Sequence, residues 1–415
     1  MTIGSSQERP QVRFHRRRDR RRELAQLACA ILGVALGLLM PLADAGPQIE
    51  AGRAVNLLFT VGFGVISLVS IIYSMLFLVV QFSASTFSPR LGIFRDDPIV
   101  WRSFAFAVGV FVFSITAGIA IGVRERVSLL IPALAAVLVL IALGFLRTLQ
   151  TRAFRSIQLA PALAGISARG HQLVDDWYQH PTTSQPQAPP PSHQQQGRVV
   201  RCPVRTAVLQ QIDVPLLLAA AQRADCRIEF RVPIGTSVHQ GTELAILYGG
   251  DVPDEELHRA LVFGVERTFD QDPLFPARLL ADITLRALSK AINDPATAVQ
   301  ALDQLEALLV RLADRQLDIG RITDGAGVVR VVVPMPTWED FLATALDEPL
   351  TAAEGSPMVL LRIRALLRTL LTAAPTERHA ALQTRQARLE HTGTQRHPLQ
   401  WSAGQVDAAP PPGHA

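Results

Sequence analysis

The sequence predicts a membrane α-helical protein in which four transmembrane helices are followed by a cytoplasmic α+β domain. Three observations predict it. Four long charge-free runs are crowded into the first third of the 415 residues. Arginine is distributed unevenly around those runs. Beyond the last of them the pattern changes to short alternating segments, glycine turns and amphipathic helices with proline near their starts. The chain is 49% hydrophobic and 18% charged, with mean hydropathy +0.24, which excludes a disordered chain and, with the apolar residues so concentrated, a purely soluble enzyme.

The runs are Leu24 to Ala43 (20 residues), Ala54 to Pro89 (36, the last third polar), Ser103 to Val123 (21) and Val127 to Leu146 (20). At 1.5 Å per residue a helix of about 20 residues reaches about 30 Å, the thickness of a bilayer core. Buried core helices are the alternative, but four charge-free runs of this length fit a soluble protein poorly. Eight arginines precede the first run; Arg90, Arg95 and Arg102 lie between the second and third, and Arg147, Arg152 and Arg155 follow the fourth. The opposite loops carry only Arg53, Arg124 and Arg126. The positive-inside rule therefore puts both termini in the cytoplasm. A signal peptide cleaved near Ala43-Asp44-Ala45 competes with a retained first helix, but the apolar stretch exceeds the usual h-region, so a retained helix is expected. No run holds an ionisable residue, which weighs against a proton-coupled pump. Gly33-x-x-x-Gly37 and Gly118-x-x-x-Gly122 point to close helix packing, within the chain or between subunits.

Six segments are expected: a basic disordered tail over 1–22, the four-helix region over 23–147, a helical extension over 148–178, a Pro/Gln-rich linker over 179–197, the α+β domain over 198–374 and a disordered tail over 375–415. In the extension, Leu159, Leu163, Ile166, Gly170, Leu173 and Trp177 form a heptad-like seam, for a neighbouring helix or for a second copy. In the domain, Thr206 to Ile212 reads as a strand, Asp213 with Pro215 starts a helix through Ala224, and Arg227 to Val232 alternates as a strand. Gly235, Val238, Gly241, Leu244 and Leu247 suggest a compact β-hairpin similar to those of biotinyl/lipoyl-type domains, without the lysine a carrier needs. Helices are expected over 253–269, 276–290 and 295–317, then a hairpin turning on Asp324-Gly325-Ala326-Gly327, and helices from Trp338 and Pro357.

Candidate ligand-binding residues lie in the densest run of polar signals, 270–303. Arg278, Asp282, Arg286 and Lys290 fall at successive i, i+4 positions, either a solvated ion-paired face or a functional stripe that other elements would cover. Asn293-Asp294-Pro295 reads as a helix start, and its free N–H groups, with Thr297, could instead take an anion. Lys290 is the only lysine, so the other 39 basic residues are arginine, a bias that reads as coding composition rather than as a nucleic-acid interface. Cys29, Cys202 and Cys226 are scattered, so neither a disulfide framework nor a zinc site is expected, and no cofactor or catalytic residue is assigned.

The segment QDPLFPARLLADITLRALSKAINDPATA resembles the signature of a family of bacterial predicted membrane proteins, the domain of unknown function 2254. Gln271, Asp272, Pro273, Arg278, Leu280, Asp282, Ile283, Ala287, Leu288, Ser289, Ile292, Asn293, Asp294, Pro295, Thr297 and Ala298 match it, whereas Lys290 stands for the usual proline and Ala291 for a common glycine. FSPRL at 87–91 with Arg95-Asp96 also resembles the family. The resemblance covers roughly 24–374 and implies the architecture and a bacterial inner-membrane location, but no established activity. Two functions follow as expectations: a channel or transport-like oligomer regulated by its cytoplasmic domain, and, as the alternative, a membrane-anchored sensor or scaffold binding an anionic ligand or partner. The bilayer and a homo-oligomer are the expected partners. An enzyme is the weakest reading, since no nucleophile-base pair, P-loop or dinucleotide fingerprint is present.

Overall fold

The computed structural model describes residues 13–42, 46–86, 98–122, 124–182 and 197–403. FSPRL with Arg95-Asp96, the Ala43-Asp44-Ala45 site and most of the Pro/Gln-rich linker lie outside them. The described residues form two compact units, one over 13–161 and one from 162 to 403.

The first unit holds α1 (Arg13–Leu39), β1 (Gln48–Glu50), α2 (Ala51–Thr86), α3 (Pro98–Ile121), β2 (Arg126–Ser128) and α4 (Leu130–Ile157). Each α-helix contains a stretch of 19 to 23 residues long and apolar enough to cross a membrane. Helix is the form this composition must take there, because a bilayer offers backbone amides no water and only intrasegment hydrogen bonds satisfy them. Many large side chains exposed along these helices are apolar, among them Leu27, Ile31, Phe63, Ile71 and Leu140. The basic segment expected to be disordered up to residue 22 is helical from Arg13, continuous with the apolar run behind it.

Small residues set the helix contacts. A Cβ on Gly33 would come within 2.5 Å of the Gly109 carbonyl oxygen, and Gly37 faces Thr116 and Ala117. Residue numbers rise together along this contact, so α1 and α3 run parallel with their backbones in near contact. The first GxxxG pattern is thus filled within one chain. Gly118 faces the Phe59 ring of α2. Where α1 and α3 end, β1 pairs antiparallel with β2, Gln48 opposite Ser128 and Glu50 opposite Arg126, and Arg124 donates to the Pro41 carbonyl. A core of Ala54, Leu58, Phe113, Ala117, Ile121 and Ile131 lies at the same end.

After α5 (Leu159–Trp177) the second unit contains β3 (Arg198–Arg201), β4 (Thr206–Ile212), α6 (Val214–Arg223), β5 (Cys226–Phe230), β6 (Ser237–His239), β7 (Glu243–Gly249), α7 (Asp254–Arg259) and β8 (Leu261–Gly264). Then follow α8 (Phe275–Ala287), α9 (Pro295–Leu312), β9 (Arg321–Thr323), β10 (Val329–Val332), α10 (Trp338–Leu342), α11 (Glu348–Ala352), α12 (Pro357–Ala373), α13 (His379–Arg396) and α14 (Pro398–Ala403). A five-stranded sheet has the order β3-β7-β5-β10-β9, with β10 and β5 parallel and the other pairs antiparallel. A three-stranded antiparallel sheet has the order β6-β4-β8. Leu209 and Ile212, Ile228 and Phe230, Leu244 and Leu247, and Leu217 of α6 close one core between them.

Several expectations change here. The glycine-rich segment is not one hairpin, because β6 pairs with β4 and β7 with β5 and β3, so the turn at Gly241 (φ +86) carries the chain from one sheet to the other. The helix expected over 253–269 stops at Arg259, and Leu261-Val262-Phe263-Gly264 is a strand, as its β-prone side chains favour. The α5 seam is buried at Leu163, Ile166, Gly170 and Leu173, with Gly170 against Pro276 and Leu308 of this chain.

The segment expected as a disordered tail from Pro375 is ordered through Ala403. Buried Arg385 donates to both oxygens of Glu339 (3.1 and 2.7 Å) and of Asp347 (2.6 and 3.0 Å). Arg364 grips both oxygens of Glu390 at 2.7 and 2.9 Å, and buried Trp401 donates its indole N–H to the same carboxylate at 2.7 Å. Arg378 donates to the carbonyls of Leu312, Ala313 and Arg315, capping α9 where its carbonyls lack helical partners. Leu382 and Leu389 add buried apolar contact at heptad spacing.

Two outcomes test this packing. Gly33→Leu should lower the unfolding free energy of the detergent-solubilised protein by about 1–3 kcal/mol, the cost of overfilling a close contact; unchanged thermal unfolding would refute the α1–α3 contact. Arg385→Met should cost about 1.5–3 kcal/mol, the range for a hydrogen bond to a charged group, and hydrogen exchange should rise first in 379–403.

Candidate functional site

The family-like segment runs from the end of the β region through α8 and into α9, and most of its polar residues have a definable structural task. Gln271 pairs with the β4 backbone: the Ile212 N–H donates to its Oε1 at 2.8 Å and its Nε2 donates to the Ile212 carbonyl at 3.3 Å. Asp272 is only 2% exposed, and Arg267 closes on it with Nε to Oδ2 at 2.6 Å and Nη2 to Oδ1 at 2.8 Å. Gly235 lies against this carboxylate with φ +88, and a Cβ there would overlap Asp272 Oδ2. Position 235 thus needs glycine both for backbone conformation and for space. Arg267 also lies over the Phe275 ring, Phe275 over Phe269, and Arg169 of α5 over Phe269, at 5.4, 4.9 and 5.1 Å. Burial, with Asp272 nearby, pushes the Tyr178 phenol well above its ordinary pKa, so it stays neutral.

Arg278 and Asp282 form an ion pair at 2.8 Å on α8, and Arg278 also reaches both carboxyl oxygens of Glu348 at 3.1 Å each. The stripe is therefore covered by a second element at this point. It does not extend as expected: α8 ends at Ala287, which leaves Lys290 exposed beyond it, while Leu279, Leu280, Ile283 and Ala287 are buried on the opposite side.

Asn293, Asp294 and Thr297 form a second set past the end of α8. Asn293 takes a left-handed conformation, φ +49, and Asp294 caps α9, accepting from the Thr297 N–H at 3.1 Å and the Thr297 hydroxyl at 2.6 Å. Asparagine tolerates that region better than other side chains, aspartate fills the orphan N–H, and Pro295 stands where no N–H is needed. The anionic position at this helix terminus is occupied by the chain's own carboxylate.

The covered end of the stripe opens onto a groove of about 460 Å³ lined by Asp347, Glu348, Thr351, Ala352 and Arg388. Asp347 ends a π turn, Ala343–Asp347, between α10 and α11. Single π turns within helices are frequent at functional sites. Arg388 of α13 donates to the Thr351 hydroxyl at 2.8 Å, while Asp347 is held by Arg385 and Glu348 by Arg278. The sequence reading missed Asp347, Glu348, Arg385 and Arg388. The heptad spacing of Leu382 and Leu389 was the available signal, masked by the polar residues between them. Among the described residues no group of three His, Cys, Asp or Glu side chains could hold a metal ion.

The cap generates a testable outcome. Thr297, through its hydroxyl and then its N–H, holds the Asp294 pKa below the ordinary 3.8. A depressed carboxylate pKa stabilises the fold above the unfolded-state value and loses that contribution as pH falls through the folded-state value. Asp294→Ala should cost about 1 kcal/mol at neutral pH, and the difference from wild type in thermal unfolding should shrink below pH 3.8. A difference independent of pH would assign the loss to something other than the charged cap.

No solved structure matches the chain. An uncharacterized protein of Mycobacterium bovis and one of Mycobacterium tuberculosis are each 29% identical to it over 354 residues, covering 80% of this chain and 67% of theirs. The family model described as predicted membrane protein, DUF2254, matches residues 24–369, from the first apolar helix through most of α12. The chain belongs to the DUF2254 family of predicted membrane proteins.

Proposed function

We propose that the protein is a membrane-anchored binding protein, in which the four apolar helices fix the chain in the bilayer and the α+β domain, on the cytoplasmic side, receives a small anionic ligand or the acidic group of a partner in the groove between α11 and α13. The groove carries this reading: α8, a π turn, α11 and α13 bring Arg278, Asp347, Glu348, Thr351 and Arg388 to one place. Arg388 is exposed and, among the described residues, its side chain bonds to a neutral hydroxyl and no carboxylate, so an anion can engage its guanidinium without breaking an ion pair. The arginine asymmetry around the spans supports the cytoplasmic side.

The reading relocates the anion-binding role from Asn293, Asp294 and Thr297, where a carboxylate already sits, to the end of the stripe marked by Arg278 and Asp282. A channel-like homo-oligomer is the second reading, supported by the four apolar spans. It ranks lower because Gly33 and Gly37, which could have packed between subunits, are engaged within the chain.

Thermal unfolding of the detergent-solubilised full-length protein against a panel of phosphates, carboxylates and nucleotides should identify a saturable stabiliser. Arg388→Ala should weaken its binding about 10- to 100-fold, as expected for a charge-assisted hydrogen bond of about 1.5–3 kcal/mol. Ion flux through proteoliposomes that persists in Arg388→Ala, with no stabiliser in the panel, would replace this reading with the transport one.

A further inference from the structure

The four apolar helices do not present the same kind of surface. Over 24–39 of α1, 103–121 of α3 and 130–146 of α4, every exposed position carries alanine, valine, leucine, isoleucine or glycine. Helix α2 differs. Ala54, Leu58, Val65 and Val69 are buried on its inner side, and Gly62 lies against Ser114 of α3. Its outer side exposes Asn56, Thr60, Phe63, Ser67, Ser70 and Ser74, a row that continues through Phe77 and Gln81. Exposed Leu57, Ile71 and Leu78 flank the row on one side.

The spacing within the row alternates between four and three residues without a break. That is the heptad period, which keeps one face of a helix against a partner helix in a left-handed crossing. From Asn56 to Gln81 the row extends about 38 Å at 1.5 Å per residue. In a bilayer, hydrocarbon offers these polar groups no hydrogen bond. The hydroxyls of Thr60, Ser70 and Ser74 donate to the carbonyls of Asn56, Ile66 and Ser70 at 2.7, 2.9 and 3.0 Å. The Asn56 amide and the Ser67 hydroxyl make no hydrogen bond among the described residues. Gly64, beside the row, has open space on its outward side, which admits close approach of another backbone.

A helix of unrelated sequence would have to bring its own matching row, whereas a second copy brings one by symmetry. Two copies inserted the same way place their α2 helices parallel about a two-fold axis along the membrane normal, so each level of the row meets itself. Asparagine, serine and threonine are each donor and acceptor, so like side chains can bond to one another. Phe63 and Phe77, 56% and 70% exposed, meet as aromatic pairs. No charge interrupts the row to repel its counterpart. We infer that α2 is the dimerisation helix of this protein, and that two copies pair in the membrane through the seam from Asn56 to Gln81. A closed helix pair encloses no channel and needs no ligand, so it is separate from both functional readings above.

The test uses the full-length protein reconstituted in phospholipid vesicles. In a Cys29→Ala background, with Cys202 and Cys226 buried, Ser67→Cys should form disulfide-linked dimers on mild oxidation. Leu140→Cys, on the exposed face of α4, should not. Asn56→Leu should weaken association, followed by energy transfer between labelled copies as lipid dilutes them, about 3- to 20-fold. That corresponds to about 0.6–1.7 kcal/mol for an interhelical hydrogen bond in a membrane. Its thermal unfolding as a detergent-dispersed monomer should match wild type, because the side chain is exposed in the single chain. Cross-linking of Ser67→Cys no stronger than that of Leu140→Cys overturns the inference, as does a wild-type protein that stays monomeric at every dilution. Assemblies larger than two copies would overturn the closed pair in favour of a ring whose seam faces a channel.

Discussion

The α+β domain depends on a carboxylate that water scarcely reaches. Asp272 is 2% exposed, and an ionised oxygen pair so enclosed is tolerated only when donors of opposite charge replace its hydration. Arg267 provides that replacement from five residues upstream, and each neighbour is shaped by it: Gly235 has no side chain because the carboxylate fills that space, and Phe275 underlies the guanidinium. Gln271, one residue away, completes the junction by copying a strand's hydrogen bonds onto β4. The sheets and helices meet through this short loop, so Arg267, Gln271 and Asp272 are occupied in holding the two parts of the domain together.

The sequence revealed structure wherever a local rule had no competitor. The strand Thr206–Ile212 and the helix capped by Asp213 were readable because alternation, an N-cap and an early proline agree. The four apolar helices were readable because a charge-free run of that length has few alternatives. Failures came where long-range pairing decides. Nothing local shows that β6 and β7, three residues apart, join different sheets, and β8 followed a helical stretch too closely to be separated by periodicity. The candidate residues divide in the same way: capping by Asp294 was foreseeable from Asn-Asp-Pro, whereas the Arg278–Glu348 fork spans 70 positions and has no sequence signature.

Arginine does more in this protein than coding composition suggests. In the second unit Arg267, Arg278, Arg311, Arg364 and Arg385 each hold a carboxylate through two nitrogens, on Asp272, Glu348, Asp175, Glu390 and the Glu339–Asp347 pair. A planar fork fixes direction as well as charge, which an ammonium on a flexible stem does not. The single lysine lies beyond the end of α8, outside every one of these forks.

The docking of α13 and α14 separates two kinds of boundary. The match to the family model ends at residue 369, inside α12, yet the packed helices continue through Ala403. Cutting the chain at the homology limit would strip Arg385 from Glu339 and Asp347 and uncap the C-terminal carbonyls of α9, leaving the matched portion with acidic groups and backbone acceptors that the removed segment had neutralised. For folding, the segment beyond the matched range is a late-arriving counterion, and Glu339 and Asp347 gain their arginine partner only when the rest of the chain has been synthesised.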